Sequence, residues 1–155
     1  MREIFKMKNK GGPISNERGL IFTASQFLDA YKIISKKCSD LSHVESNKFL
    51  YKARYYLLGH SLELSFKSYL VGKGIKLNDL KKRLGHDLVK CLKDAEKQGL
   101  NIFDQKEVKT IELLNDNYIR PEFKYEQIVF SRLPMLRDIE KIAEKIITKL
   151  KNNKS

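Results

Sequence analysis

A chain of 155 residues is long enough to bury one core of ordinary size. Apolar residues make up 41% and charged residues 32%, and no run approaches the ~18 apolar residues of a membrane span, which excludes a disordered chain and a helical membrane protein. Lys and Arg number 31 against 19 Asp and Glu, a net charge of +12 that suits polyanionic partners (RNA, DNA or an acidic surface) and a merely soluble lysine-rich exterior about equally, because the basic residues are scattered and no block is purely basic.

Residues 1–20 read as a basic leader. "NKGGPISN" cannot hold a helix, because Gly11, Gly12 and Pro13 interrupt it. The opening residues lack an apolar signal-type segment, so the expected compartment is the cytoplasm. Residues 21–155 read as a single domain. From Thr23 a helical pattern sets in, with Phe27, Ala30, Tyr31 and Ile34 at three- and four-residue steps and Thr23 or Ser25 as N-cap. It fades near Lys37, and "CSDLSHVES" reads as a polar connection.

The longest helix is expected over about Ser46 to Val71. It is apolar on two sides, with Phe49, Ala53, Leu57 and Leu64 on one and Leu58, Leu62, Phe66 and Tyr69 on the other, as a central helix must be. A third stripe, Ser61, Ser65 and Ser68, is small enough to admit another helix closely, from this chain or from a second copy. Gly72 or Gly74 ends the helix. "DLKKRL" forms a short turn of helix. A further helix runs from about Asp87 to Gln98, with Leu88, Cys91, Leu92 and Ala95 inward and Gly99 as its stop. Gln105 to about Tyr118 follows, burying Val108, Ile111, Leu114 (or Leu113) and Tyr118. "IRPEFKYEQIVFS" is a loop, and a last helix starts near Ser131 or Pro134 and carries Leu136, Ile139, Ile142, Ala143, Ile146, Ile147 and Leu150. No alternating strand pattern occurs. The expected fold is all-α, an antiparallel bundle of about five helices.

Three stretches carry candidate chemistry. In Gly85-His86-Asp87, Asp87 in the first turn of the following helix can accept backbone N–H groups and complement the positive helix end, and His86 can fill the N-cap, pack over the turn or help an anion bind at the helix start beside Lys81, Lys82 and Arg83. On the long helix, Glu63 and Lys67 stand four apart in the favourable order. They read as a solvated ion pair, or as a partly buried carboxylate partnered by Lys67 or His86. Arg54 and His60 are six apart, about 240° around a helix, so their side chains diverge unless a dimer or a break reunites them. In "NDNYIRPEFKY", Tyr118, Arg120, Phe123, Lys124 and Tyr125 alternate aromatic and basic character. They can stack on bases and neutralise phosphates, or plug the end of the bundle. Cys38 and Cys91 have no metal-ligand spacing, Cys38 and His43 make at most half a site, and Cys91 reads as a buried free thiol. No cofactor loop and no metal cluster is expected.

The order "LGHSLELSFKSYLVGKG", "RLGHDLVKCLKDAEKQGL", "IELLNDNYIRPEFKY" resembles the HEPN superfamily over roughly residues 46 to 150. The resemblance lies in Leu62, Glu63 and Lys67 of the long helix, His86-Asp87-Leu88 at a helix start, and Tyr118 and Arg120 at a later helix end. It implies a four- or five-helix bundle, commonly a homodimer, that binds RNA or nucleotides or serves as a protein–protein module, for instance with an antitoxin. Many members are metal-independent ribonucleases of toxin–antitoxin or phage-defence systems, with an Arg, four to six residues of any type and then a His, late in the domain. Here no histidine follows His86, and Arg54–His60 is the pair with that spacing. The resemblance therefore implies a binding domain first, with Arg54 and His60 as the pair to carry catalysis in the ribonuclease alternative. Read from the residues themselves, Lys81, Lys82, Arg83, His86, Arg120 and Lys124 are the candidate nucleic-acid or phosphate contacts, and Glu63, Lys67 and Asp87 the structural polar groups.

Overall fold

The structure, a computed structural model, describes residues 16–48, 50–119 and 133–153. The described residues form seven α-helices and no strand: α1 (Asn16–Cys38), α2 (His43–Lys48), α3 (Tyr51–Gly72), α4 (Leu77–Leu84), α5 (Leu88–Lys97), α6 (Gln105–Tyr118) and α7 (Leu136–Asn152). The all-α class is as expected, and the helix count is larger than five.

The difference lies in two places. The expected helix from Ser46 to Val71 is interrupted: α2 ends at Lys48, Leu50 takes a left-handed conformation at φ 46°, and α3 begins at Tyr51. A left-handed residue cannot continue the intrahelical hydrogen-bond ladder, so the chain turns there. The connection expected over "CSDLSHVES" contains the start of α2, where Glu45 accepts from the Ser42 amide and hydroxyl. The second addition is α4, a true two-turn helix rather than a single turn.

The first helix begins at Asn16, not Thr23, so the final residues assigned to the leader are helical. Thr23 and Ser25 are not caps. They lie inside α1, and their hydroxyls donate to the Gly19 and Ile21 carbonyls one turn back. The buried stripe of α1 is Ile21, Ala24, Leu28 and Tyr31, with Phe27 and Ile34 only half-buried at its edge.

α3 is the axis of the fold. Twelve of its 22 residues are buried, and α1, α5, α6 and α7 all pack on it. The serine stripe faces α1 of the same chain. Ser61 donates to the Ala24 carbonyl (2.8 Å) and Ser68 to that of Glu17 (2.9 Å), so small side chains admit the neighbouring backbone and satisfy its carbonyls. The core is otherwise apolar, built from Leu58, Leu62, Phe66 and Leu70 against Leu88, Cys91, Leu92, Ile111, Leu114 and the Ile139–Leu150 face of α7, with Tyr31, Tyr55 and Tyr118 among them. Phe66 meets Phe103 edge-on, and Cys38 and Cys91 are buried free thiols.

Two devices fix the start of α5 against α6. Asp87, one residue later than the expected His86, is the N-cap of α5, accepting from the Lys90 amide at 3.0 Å. Asn115 of α6 accepts from the Leu88 amide (2.7 Å) and donates to Asp87 (3.1 Å), clamping the start of α5. α6 opens with a capping box between Asp104 and Glu107. No described helix is long and apolar enough to cross a membrane.

Candidate functional site

On α3, His60, Glu63, Leu64 and Lys67 follow one another at three- and four-residue steps, so they share a face. That face looks onto the turn between α4 and α5. Together they border a cleft of about 390 Å³ whose walls are Leu20, Leu64 and Leu77 and whose polar rim is His60, Lys67, Lys81, Gly85 and His86.

Glu63 is at its centre and is only 2% exposed. A carboxylate so placed must be fully partnered, and three groups supply this. Lys67 Nζ donates to Oε1 at 2.6 Å, Tyr118 Oη donates to Oε2 at 2.8 Å, and His86 Nδ1 lies 3.0 Å from Oε2. His60 Nδ1 stands 3.7 Å from Oε2 and hydrogen-bonds to the Tyr118 hydroxyl at 3.1 Å, so it is linked to the carboxylate through the phenol. Burial works to raise the Glu63 carboxyl. The contributions of His60, the Lys67 hydrogen bond and charge, and His86 outweigh it and hold the group at about 2. The same environment pushes the Tyr118 phenol far upward, first through burial and then through the Glu63 charge, so Tyr118 stays a donor.

The three residues Gly85-His86-Asp87 have separate tasks. Gly85 takes φ 54°, ψ −125°, a conformation closed to residues with a Cβ. Its carbonyl accepts from Lys67 Nζ at 2.6 Å. His86 engages Glu63, and Asp87 caps α5. The carboxylate fixes the ring of His86: with Nδ1–H directed at Glu63, Nε2 lies on the opposite edge of a side chain that is 60% exposed. The Tyr118 proton is committed to Glu63, so His60 donates Nδ1–H to the phenol oxygen, and its Nε2 is likewise the remaining nitrogen. His60 is wedged between Phe27, edge-on at 4.5 Å, and Tyr56, stacked at 5.8 Å between ring centroids.

Gly59 explains how Tyr118 reaches this carboxylate. A Cβ there would lie 2.6 Å from Cδ2 of the Tyr118 ring, so the absence of a side chain lets the ring lie against α3. Tyr118 was legible in the sequence as an inward aromatic at a helix end. The pairing with Glu63 was not, because it joins groups 55 positions apart.

The structure thus brings together His60, Glu63, Lys67, Lys81 and His86, and adds Tyr118. Glu63 and Lys67 are a buried pair rather than a solvated one, with His86 as the second partner. Arg54 lies elsewhere: its guanidinium is buried and donates to the Ser46 carbonyl at 2.7 Å, and no hydrogen bond or ion pair joins it to His60 among the described residues. Arg83 is ion-paired with Asp94, which offsets its charge, and Lys82 is exposed outside the cleft lining. Arg120 and Lys124 lie outside the described residues, as does the side chain of His43. Among the described residues no group of three or more His, Cys, Asp or Glu side chains is placed to hold a metal ion. Comparison with protein-family models, curated proteins and solved structures finds no match to this chain.

Proposed function

We propose that the chain is a HEPN-like helical domain that works as a cytoplasmic homodimer and binds RNA through the cleft beside Glu63. The observation that carries this reading is the convergence of Lys67, Lys81, His60 and His86 on one open cleft. The single carboxylate there is already matched by the buried Lys67, so the surplus charge of the rim is positive. The overall charge of +12 adds long-range attraction for a polyanion. The apolar walls, Leu20, Leu64 and Leu77, offer a surface for a base or ribose, while Lys81 and His86 face a phosphate.

Fluorescence anisotropy with a labelled single-stranded RNA over a salt series tests this reading. Binding should weaken steeply with salt, and Lys81→Glu should weaken it about tenfold or more while lowering the salt slope by roughly one to two phosphate contacts. An affinity indifferent to salt and to Lys81→Glu would refute the cleft as an RNA site. Absence of binding to any nucleic acid would leave the protein–protein module, with an antitoxin-like partner, in its place. Light scattering on the purified chain reads the dimer directly.

A further inference from the structure

Tyr56 stands one turn before His60 on α3. Tyr56, His60, Glu63 and Lys67 therefore form one stripe, at steps of four, three and four residues, that runs out of the cleft along the helix. The Tyr56 ring lies within 9° of the His60 plane with 5.8 Å between centroids, an offset stack, and it meets the Tyr118 ring tilted by 39°. His60 is itself held by the Tyr118 hydroxyl and by the edge of Phe27. Tyr56 is thus held in orientation from inside the protein. Core packing does not account for it, because it stands outside the core cluster and is 37% exposed, whereas Tyr118 is 2% exposed.

We infer that Tyr56 is the base-stacking platform of the cleft, and that it selects RNA carrying an unpaired nucleotide over duplex RNA. The inference rests on the reading that the cleft binds RNA, and it adds the residue that tells one RNA from another. Phosphate contacts from Lys81 and His86 are alike for every strand and carry no such information. A base has an apolar face of the size of the tyrosine ring, and a ring already held by His60 loses little freedom when a base settles on it. The bases of a duplex are paired and stacked on one another, so a duplex would bring only sugar and phosphate to Tyr56. Tyr56 lies about 10 Å along the helix from Glu63 and about 16 Å from Lys67. His86 meets Glu63 at the far end of that span. The base on Tyr56 and the phosphate at Lys81 and His86 therefore belong to different nucleotides of one extended strand. His60 is the positioning residue beneath the platform.

Fluorescence anisotropy at fixed salt tests this with three probes: a labelled uridine strand, the same strand with abasic residues, and a duplex of equal length. Wild-type protein should bind the uridine strand about tenfold or more tighter than the abasic one, and should prefer it to the duplex. Tyr56→Leu should weaken binding of the uridine strand by the same factor, leave the abasic strand unchanged and keep the wild-type salt slope. Tyr56→Phe, which retains the ring, should stay within about twofold of wild type. Comparing intact and abasic strands on the wild-type protein needs no variant, so misfolding of Tyr56→Leu, read by circular dichroism, would not shelter the proposal. Equal wild-type affinity for intact and abasic strands would overturn the platform. An equal loss on both strands in Tyr56→Leu would do the same, and in either case salt-dependent RNA binding would survive. Dissociation of a dimer by Tyr56→Leu, read by light scattering, would assign the ring to the contact between copies and also overturn it. Failure of the wild-type protein to bind any of the three probes would remove the RNA reading and this inference together.

Discussion

Glu63→Gln keeps the shape of the side chain and removes its charge, and its effect can be worked out from the site. The carboxyl is held at about 2 against an ordinary 4.5. At 1.36 kcal/mol per pH unit, that difference is worth about 3 kcal/mol to the folded state at neutral pH. The folded value lies below the unfolded one, so the contribution is fully present above about pH 4.5 and drains away as pH falls toward 2. At pH 3 about 2 kcal/mol of it is gone. In the variant, Lys67 (4% exposed) keeps the Gly85 carbonyl but loses its counter-charge. Removing one member of a buried pair costs about 3–5 kcal/mol, a large share of the ~5–15 kcal/mol that holds a domain of this size. Urea unfolding followed by circular dichroism should therefore show Glu63→Gln less stable by about 3–5 kcal/mol at pH 7, with the gap narrowing by about 2 kcal/mol at pH 3. Adding Lys67→Met should recover part of the loss, because it removes the orphaned cation. A gap below about 1 kcal/mol at pH 7, or one that does not change with pH, would refute the buried ionised pair.

Gly59→Ala should lower stability by about 1 kcal/mol or more in a thermal melt, since the clash with the Tyr118 ring outweighs alanine's better helix propensity. Combining it with Tyr118→Leu should cost less than the sum of the two single changes, and strict additivity would show that the contact does not form. Leu50→Gly should be neutral or stabilising by up to about 1 kcal/mol in urea, because relief of left-handed strain exceeds the added freedom of the unfolded chain. Destabilisation there would mean that the Leu50 side chain packs more than its exposed position shows. Cys91, whose thiol burial pushes up to about 12, should stay unreactive toward a thiol reagent at pH 8 until denaturant is added; prompt labelling of Cys91 in the folded protein would contradict its place in the core.

Most of the helices were legible because their apolar residues repeat at helical spacing. α6 runs over Gln105–Tyr118 as its pattern indicates, and α5 and the buried face of α7 differ from the expected ones by a residue or two at the ends. The break at Leu50 was not legible, since leucine carries no turn signal and rarely takes the left-handed conformation it has here. The early start of α1 was hidden for a related reason. Asn16–Leu20 has little apolar periodicity, and the Glu17 backbone is fastened by Ser68, 51 positions away.

For the site, sequence spacing alone placed Glu63 and Lys67 on one helical face and put Asp87 at the start of α5 as an acceptor of backbone N–H groups, because both relations span one turn of chain. Spacing also separated Arg54 from His60 around α3. The depth of Glu63, and hence the strength of its pairing, was a tertiary decision: α6 lays Tyr118 across Gly59, and the α4–α5 turn carries Gly85 and His86 over the same face. A sequence encodes which residues share a helix face through a fixed rise and rotation per residue. Which faces meet is set by how several helices share one core, and that meeting turned an ordinary Glu–Lys pair into a buried carboxylate with two histidines, a lysine and a tyrosine around it.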